Sequence, residues 1–276
     1  MKKLTALLLA GLMCIGALSG CGAATQNASA SAPASDAAAT ETKTFTVGFD
    51  AEFPPFGFMN DQGEYVGFDL ELAEEVCKRK GWTLVKQPID WDAKDMELSS
   101  GAIDCIWNGF TMNGREDEYT WSVPYVDNSQ VFVVKTDAGI ASKADLSGKI
   151  VGVQKDSAAL AALEGDAKDL TDTFADLVQF ADYNTAFMDL EAGAVDSVAI
   201  DIGVAAYQIL QRGDGYKILD EQLATEQYGI GFLKGNDALK DEVEATLLEM
   251  VADGTFTKIA EKYADYGLVD AVCLGK

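Results

Sequence analysis

The stretch MELSSGAIDCIWNG, residues 96–109, returns farther along the chain as MDLEAGAVDSVAID, residues 188–201. Both read as the end of a helix, a glycine, a small residue, a β-branched residue, an aspartate and a strand. A supersecondary unit that occurs twice points to two similar α/β lobes. Around the first copy, strand-like and helical runs alternate: TFTVGF (44–49), DLELAEEVCKRKG (69–81), TLVKQPI (83–89), DAKDMELSSG (92–101) and IDCIW (103–107). Such alternation predicts βαβ units on a mostly parallel sheet. The 69–81 helix sets Leu70, Ala73, Val76 and Cys77 on one face, with Asp69 as its expected N-cap and Gly81 as its end.

Two extended segments, SQVFVVK (129–135) and YGIGFLKG (228–235), suit crossings between the lobes, and the helical run 236–267 then packs back onto the first. The expected fold class is therefore α/β, with two lobes joined by two hinge strands and a ligand cleft between them. The expected division is a leader at 1–20, a linker at 21–43, the first part of lobe one at 44–134, lobe two at 135–230 and the return to lobe one at 231–276.

Charge and composition exclude several functions. The chain holds 45 acidic residues against 21 basic ones, a formal charge of −24, and shows no basic stripe. Nucleic acid, which must be met by clustered Lys and Arg, is not the partner. The chain has no histidine, which removes imidazole-based nucleophile systems and most zinc sites. Neither a metal nor another cofactor is expected. Cys77, Cys105 and Cys273 are odd in number and irregularly spaced, which suits small buried residues, with at most one bridge.

At the N-terminus, Lys2 and Lys3 precede an apolar run of export-signal length. It ends in Leu18-Ser19-Gly20-Cys21, which resembles a bacterial lipobox and implies a lipidated Cys21 on an extracytoplasmic protein. The polar, small-residue stretch that follows lacks apolar periodicity and reads as a flexible tether.

Ligands of open α/β sheets sit beyond the carboxyl ends of the strands. By that rule the first lobe offers Asp50, Phe53, Trp91 and the loop NGFTMNGR, which holds Asn108, Gly109, Thr111 and Arg115. The second offers the loop QKDSAA, with Gln154, Ser157 and Ala158, and then Asp201. Backbone N–H groups from Gly109 onward, the Thr111 hydroxyl and the Arg115 fork suit a planar carboxylate. Asp201 suits an ammonium. A carboxylate and an ammonium held across one cleft describe an α-amino acid. Two plainer roles compete: an ion pair of Arg115 with Glu116, Asp117 or Glu118, and a helix N-cap at Asp201. Phe53 and Trp91 also suit ordinary core.

VGFDAEFPPFGFMNDQGEYVGFDLELAEEV, SGAIDCIWNGFTMNGRED and LSGKIVGVQKDSAAL resemble, in that order, the extracytoplasmic solute-binding proteins of polar amino-acid ABC transporters, which have the type II periplasmic-binding-protein fold. The likeness runs from about Phe45 to the C-terminal helix. It implies a carboxylate clamp at Gly109, Thr111 and Arg115, an ammonium partner at Asp201, and aromatic walls at Phe53 and Trp91. It also implies a membrane permease as partner. A hinge that closes on the ligand favours a monomer. Asp156 departs from the family's glycine, which bears on the contacts of Gln154, Ser157 and Ala158. Asn108 stands where relatives carry a small residue, and is expected to reach toward the ligand side chain. Asp50 with Phe53 and Trp91 suits a cationic side chain, an amide or cystine. Two rivals remain: an enzyme on the same scaffold, with Glu52 as its unassigned acid, and a sensor module that signals through a receptor.

Overall fold

The computed structural model describes residues 42–276; the expected leader, Cys21 and most of the expected linker lie outside the described residues. Two sheets carry the fold. In the first, Thr83–Pro88, Thr44–Phe49 and Cys105–Ile106 lie side by side in parallel, and Gly231–Phe232 and Thr120–Trp121 continue the sheet antiparallel. In the second, Asp176–Phe180, Ile150–Gln154 and Ser197–Asp201 repeat that parallel order, and the long strand Val126–Lys135 runs antiparallel beside them. The fold is α/β with the same parallel core built twice.

The sequence repeat explains how. Gly101 and Gly193 close their helices in the left-handed conformation, with φ of 78° and 77°. That geometry is nearly free of cost only for glycine. Ile103 and Val195 then turn inward and are buried. The carboxylates of Asp104 and Asp196 accept from the backbone N–H of Thr46 at 2.7 Å and of Ile150 at 2.8 Å. Each aspartate thereby ties its own strand to the start of its parallel neighbour.

Helix Phe68–Lys80 buries Leu70, Ala73, Val76 and Cys77 as the periodicity requires, and Phe68, Asp69 and Leu72 with them; it ends on left-handed Gly81. Its start differs from expectation. Gly67 occupies the cap position and Asp69 lies inside the first turn, fully buried, so Asp69 is no N-cap. Helices Asp237–Ala252 and Thr255–Glu261 pack against this helix, and the first of them against strand Thr120–Trp121 of the first sheet. Cys77, Cys105 and Cys273 are unpaired, the first two buried. Burial pushes the Cys77 thiol up to about 11 and that of Cys105 well above its ordinary value, so both stay protonated.

The exchange between sheets falls earlier than the expected boundary at residue 134. Val126–Lys135 pairs along its length within the second sheet, so the outward crossing lies before Val126. It runs beside the return: Tyr125 N–H donates to the Tyr228 carbonyl, and Ser122 N–H to that of Ile230, both at 3.0 Å.

Candidate functional site

The expected residues stand at strand ends and on the loops that follow them. Asp50 leaves Thr44–Phe49 with its backbone N–H held by Asn108 Oδ1 at 3.1 Å. One carboxylate oxygen accepts from Glu52 N–H at 2.8 Å, and the other from Gln154 Nε2 of the second sheet at 2.6 Å. Burial, set against those hydrogen bonds and reinforced by the charges of Asp182 and Glu52, raises the Asp50 carboxyl to about 6. Phe53 packs on Phe56 and on Tyr183 from the second half; Trp91 stands edge-on to Phe110 at 5.5 Å. The Asn108 amide nitrogen abuts Gly57, so this side chain is used to hold the Asp50 strand end rather than as a free reach into the cleft.

The loop after Trp107 is held from below. Gly109 takes φ 53°, and its N–H donates to the buried Asp69 carboxylate at 2.6 Å; Tyr125 Oη donates to the same oxygen at 2.9 Å. The Gly109 N–H is thus committed to Asp69, which corrects the expectation that donors become available from Gly109 onward. Thr111 Oγ1 donates to Glu226 Oε1 at 2.8 Å. Arg115 forms no ion pair among the described residues, so the pairing with Glu116, Asp117 or Glu118 falls away. Its guanidinium donates to the Thr111 carbonyl at 3.3 Å and, across the cleft, to the Asp156 carbonyl at 3.2 Å.

Asp156 is the one non-glycine residue of positive φ among those described, at 53°, the left-handed region that favours glycine. Its carboxylate pairs with Lys94, a lysine from the first half with only 1% exposure. Ser157 Oγ accepts from Leu160 N–H and caps the helix that Ala158 opens, while Gln154 is buried between Asp50 and the Ala181 carbonyl.

Asp201 sits at the N-cap position of helix Ile202–Arg212 but makes no capping bond. Its Oδ1 instead accepts from Asn128 at 2.8 Å, Gln130 at 2.7 Å and Tyr228 Oη at 2.5 Å. Glu226 joins this cluster, a residue that the sequence reading missed. The pattern ATEQY, with burial alternating at Glu226 and Tyr228, was the available signal: period-two alternation turns Glu226 inward with its neighbour. A cavity of about 580 Å³ opens beside Asp50 and Trp91, bordered by the carboxylates of Asp50, Glu52, Asp90, Asp92, Glu97 and Asp182 and by the cation of Lys155. Arg115 and Asp201 do not border it; it extends the cleft on the Asp50 side.

The model of the bacterial extracellular solute-binding proteins, family 3, matches residues 45–266. The chain belongs to this family. The L-cystine-binding protein TcyJ of Escherichia coli strain K12 is 30% identical over 226 residues, covering 81% of this chain and 83% of that protein. The solved structure of an ABC uptake transporter substrate-binding protein from Streptococcus pneumoniae with bound histidine is 34% identical, with a TM-score of 0.77, over 80% of this chain and 92% of that one. A third likeness is to an ancestral amino acid-binding protein, AncCDT-1, described as a precursor of cyclohexadienyl dehydratase: 30% identity, TM-score 0.72, 80% and 95% coverage. The family's type II periplasmic-binding-protein fold is the fold described above.

The site of this family member carries a stability consequence. Burial raises the Asp69 carboxyl to about 7, against hydrogen bonds from Gly109 and Tyr125, and raises Asp50 to about 6. A carboxyl whose pKa is higher in the fold than in the unfolded chain favours the fold while protonated. That contribution is whole below about 4, the unfolded value, and is lost as pH rises through about 6 and 7. The melting temperature of the ligand-free protein should therefore fall between pH 5 and pH 8, by roughly 2–4 °C per kcal/mol lost. Asp69→Asn, which keeps an acceptor without the titration, should flatten that slope; an unchanged slope would assign it elsewhere.

Proposed function

We propose that the protein captures a polar or cationic α-amino acid, or cystine, between its two lobes and delivers it to an ABC transporter permease. One observation carries this reading: an arginine with no acidic partner among the described residues reaches across to the second half, and a buried aspartate stands at a strand end of that half. Arg115, with Thr111 beside it, is the carboxylate clamp. Asp201 is the ammonium partner. Asp50, Phe53 and Trp91, with the acidic cavity next to them, receive the side chain, and Gln154, Ser157 and Ala158 close the second lobe over it. That cavity favours a cationic side chain, because six carboxylates border it against one lysine.

Closure rests on bonds made between halves: Gln154 to Asp50, Lys94 to Asp156, and Asn184 to Glu52. Glu52 is thereby engaged as part of the closing surface, which favours binding over a role as catalytic acid. A hinge that closes within one chain needs no second copy, so the working form is a monomer. Lipidated Cys21 anchors it to the outer face of the cell membrane, and a lipid anchor keeps it within reach of a permease.

Thermal unfolding of the leader-free protein against arginine, lysine, histidine, glutamine and cystine tests the reading. A ligand at 100 times its Kd stabilises the fold by about 2.7 kcal/mol. Recovery of the ligand unchanged after prolonged incubation separates capture from turnover. A flat response to all five, or conversion of the ligand, would overturn it.

A further inference from the structure

Asp201 and Glu226 share their hydrogen-bond donors. The amide nitrogen of Asn128 lies 2.8 Å from both Asp201 Oδ1 and Glu226 Oε1, and that of Gln130 lies 2.7 Å from the first and 2.8 Å from the second. Tyr228 Oη adds a bond to the aspartate and Thr111 Oγ1 one to the glutamate. Both residues are buried, with 4% and 8% exposure. Every one of these donors is neutral, and among the described residues neither carboxylate has an ion-pair partner. Two adjoining negative charges in a site of low dielectric repel, and neutral donors do not cancel them. The arrangement calls for one positive charge. Beside it, the hydroxyl of fully buried Tyr183, which feels the charges of both residues, has no hydrogen-bond partner.

We propose that Asp201 and Glu226 act as one cation seat: with no ligand they keep a single proton between them, and an incoming ammonium takes its place and sends that proton to solvent. The assignment of the ammonium to this end of the cleft rests on the reading of function given above. The participation of Glu226 and the exchange go beyond it. The balance is one proton out for one cation in, so the charge of the seat stays constant and no other reactant is needed. Glu226 and Asn128 also border a second cavity of about 440 Å³ with Ile202 and Gln227, which offers the proton a way out that does not run through the ligand.

Burial and the neighbouring Glu226 charge both raise the Asp201 carboxyl, against the bonds from Tyr228 and Gln130. The other titratable groups that face the pair are Tyr228, Tyr183 and, behind Tyr228, Tyr125. Burial pushes all three phenols well above their ordinary value, so they remain neutral and do not trade protons with it. Asp50 is raised by its own burial, against bonds from Glu52 and Gln154, and is a separate site. Arg115 reaches the cluster only through the carbonyl of Thr111.

The test begins without ligand. The full chain, labelled with 13C at Asp and Glu carboxyls, is titrated by NMR from about pH 4 to pH 9, and Asp50→Asn and Asp69→Asn variants remove the signals of the other two raised carboxyls. We expect one further proton still held at about pH 6, lost near neutrality, with both the Asp201 and the Glu226 signals responding to that step. Glu226→Gln, which keeps the shape and an acceptor oxygen, should move the step to lower pH. Full ionisation of both groups at about pH 6 in the unsubstituted chain overturns the shared proton, as does an unmoved step in Glu226→Gln. The unsubstituted titration decides even if a variant folds poorly.

Calorimetry near pH 6 in two buffers of different ionisation heat, with an amino acid that binds, should show about one proton released per ligand. Affinity should weaken about tenfold per pH unit below the step. A bound ligand with no proton release overturns the exchange. Failure of every amino acid to bind would overturn the functional reading instead, while the ligand-free titration still decides the proton.

Discussion

Arg115→Ala should weaken amino-acid binding by about 2–5 kcal/mol, roughly 30-fold to several thousandfold in Kd. The magnitude follows from what the substitution leaves behind. A ligand carboxylate enclosed by the two lobes would keep the Thr111 hydroxyl, itself already committed to Glu226, and would lose the only guanidinium at that end of the cleft. The Gly109 N–H gives no substitute, because Asp69 holds it. The fold itself should be nearly indifferent, since Arg115 is half-buried, carries no ion pair among the described residues and contributes two long bonds to carbonyls. Calorimetric titration beside a melting curve reads both quantities. Full affinity in the variant would remove the carboxylate clamp, and a collapsed melting temperature would make Arg115 structural.

Gly67→Ala should cost the fold about 3 kcal/mol or more and lower the melting temperature by roughly 6–12 °C. Gly67 precedes helix Phe68–Lys80 with φ 140° and ψ 165°, a region open in practice only to glycine. A Cβ there would stand 2.2 Å from the Phe56 carbonyl oxygen, an obstacle made of backbone that no rotamer change relieves. The backbone approach serves a purpose: Phe68 and Asp69 N–H groups donate to the Pro55 and Phe56 carbonyls at 2.8 and 3.1 Å. The helix start thus clips the turn that presents Phe53. Thermal melts and urea titration measure the loss, and a variant as stable as the parent would show that the clip is dispensable.

Much of this architecture was legible because local chemistry and the fold agree. Gly81, Gly101 and Gly193 end helices where the periodicity stops, and each does so in the left-handed conformation. The aspartates of the repeated unit are legible as a motif, and their bond to the neighbouring strand gives the motif its cause. Arg115 could be picked out because arginine is so scarce in this chain.

What escaped the sequence depends on partners far along the chain. Asp69 looked like a cap because aspartate at a helix start usually is one. Its real partners, Gly109 and Tyr125, are separated from it by 40 and 56 positions. Lys94 carries no local mark of burial; its pairing with Asp156 spans 62 positions. Glu226 stands two residues ahead of the apolar crossing segment YGIGFLKG, and its inward face shows only when the strand is extended back to Ala224. The start of the long strand at Val126 was missed for a similar reason. Asp127 and Asn128 interrupt the apolar run, although strand pairing with residues 224–228 holds them in the sheet.

The pairing of Lys94 with Asp156 spans the two halves and uses neither of the groups proposed to hold a ligand's carboxylate and ammonium. Jaws that attract each other before anything lies between them spend part of their time shut. The ligand then has less conformational work to do, and its apparent affinity comes nearer to that of the closed form. The same attraction dulls the difference between the laden and unladen forms, which the proposed permease partner would have to tell apart. Salt in the surrounding medium screens such a contact where it is exposed, as the Asp156 side is, so the resting bite of this protein is set partly by the ionic strength around it.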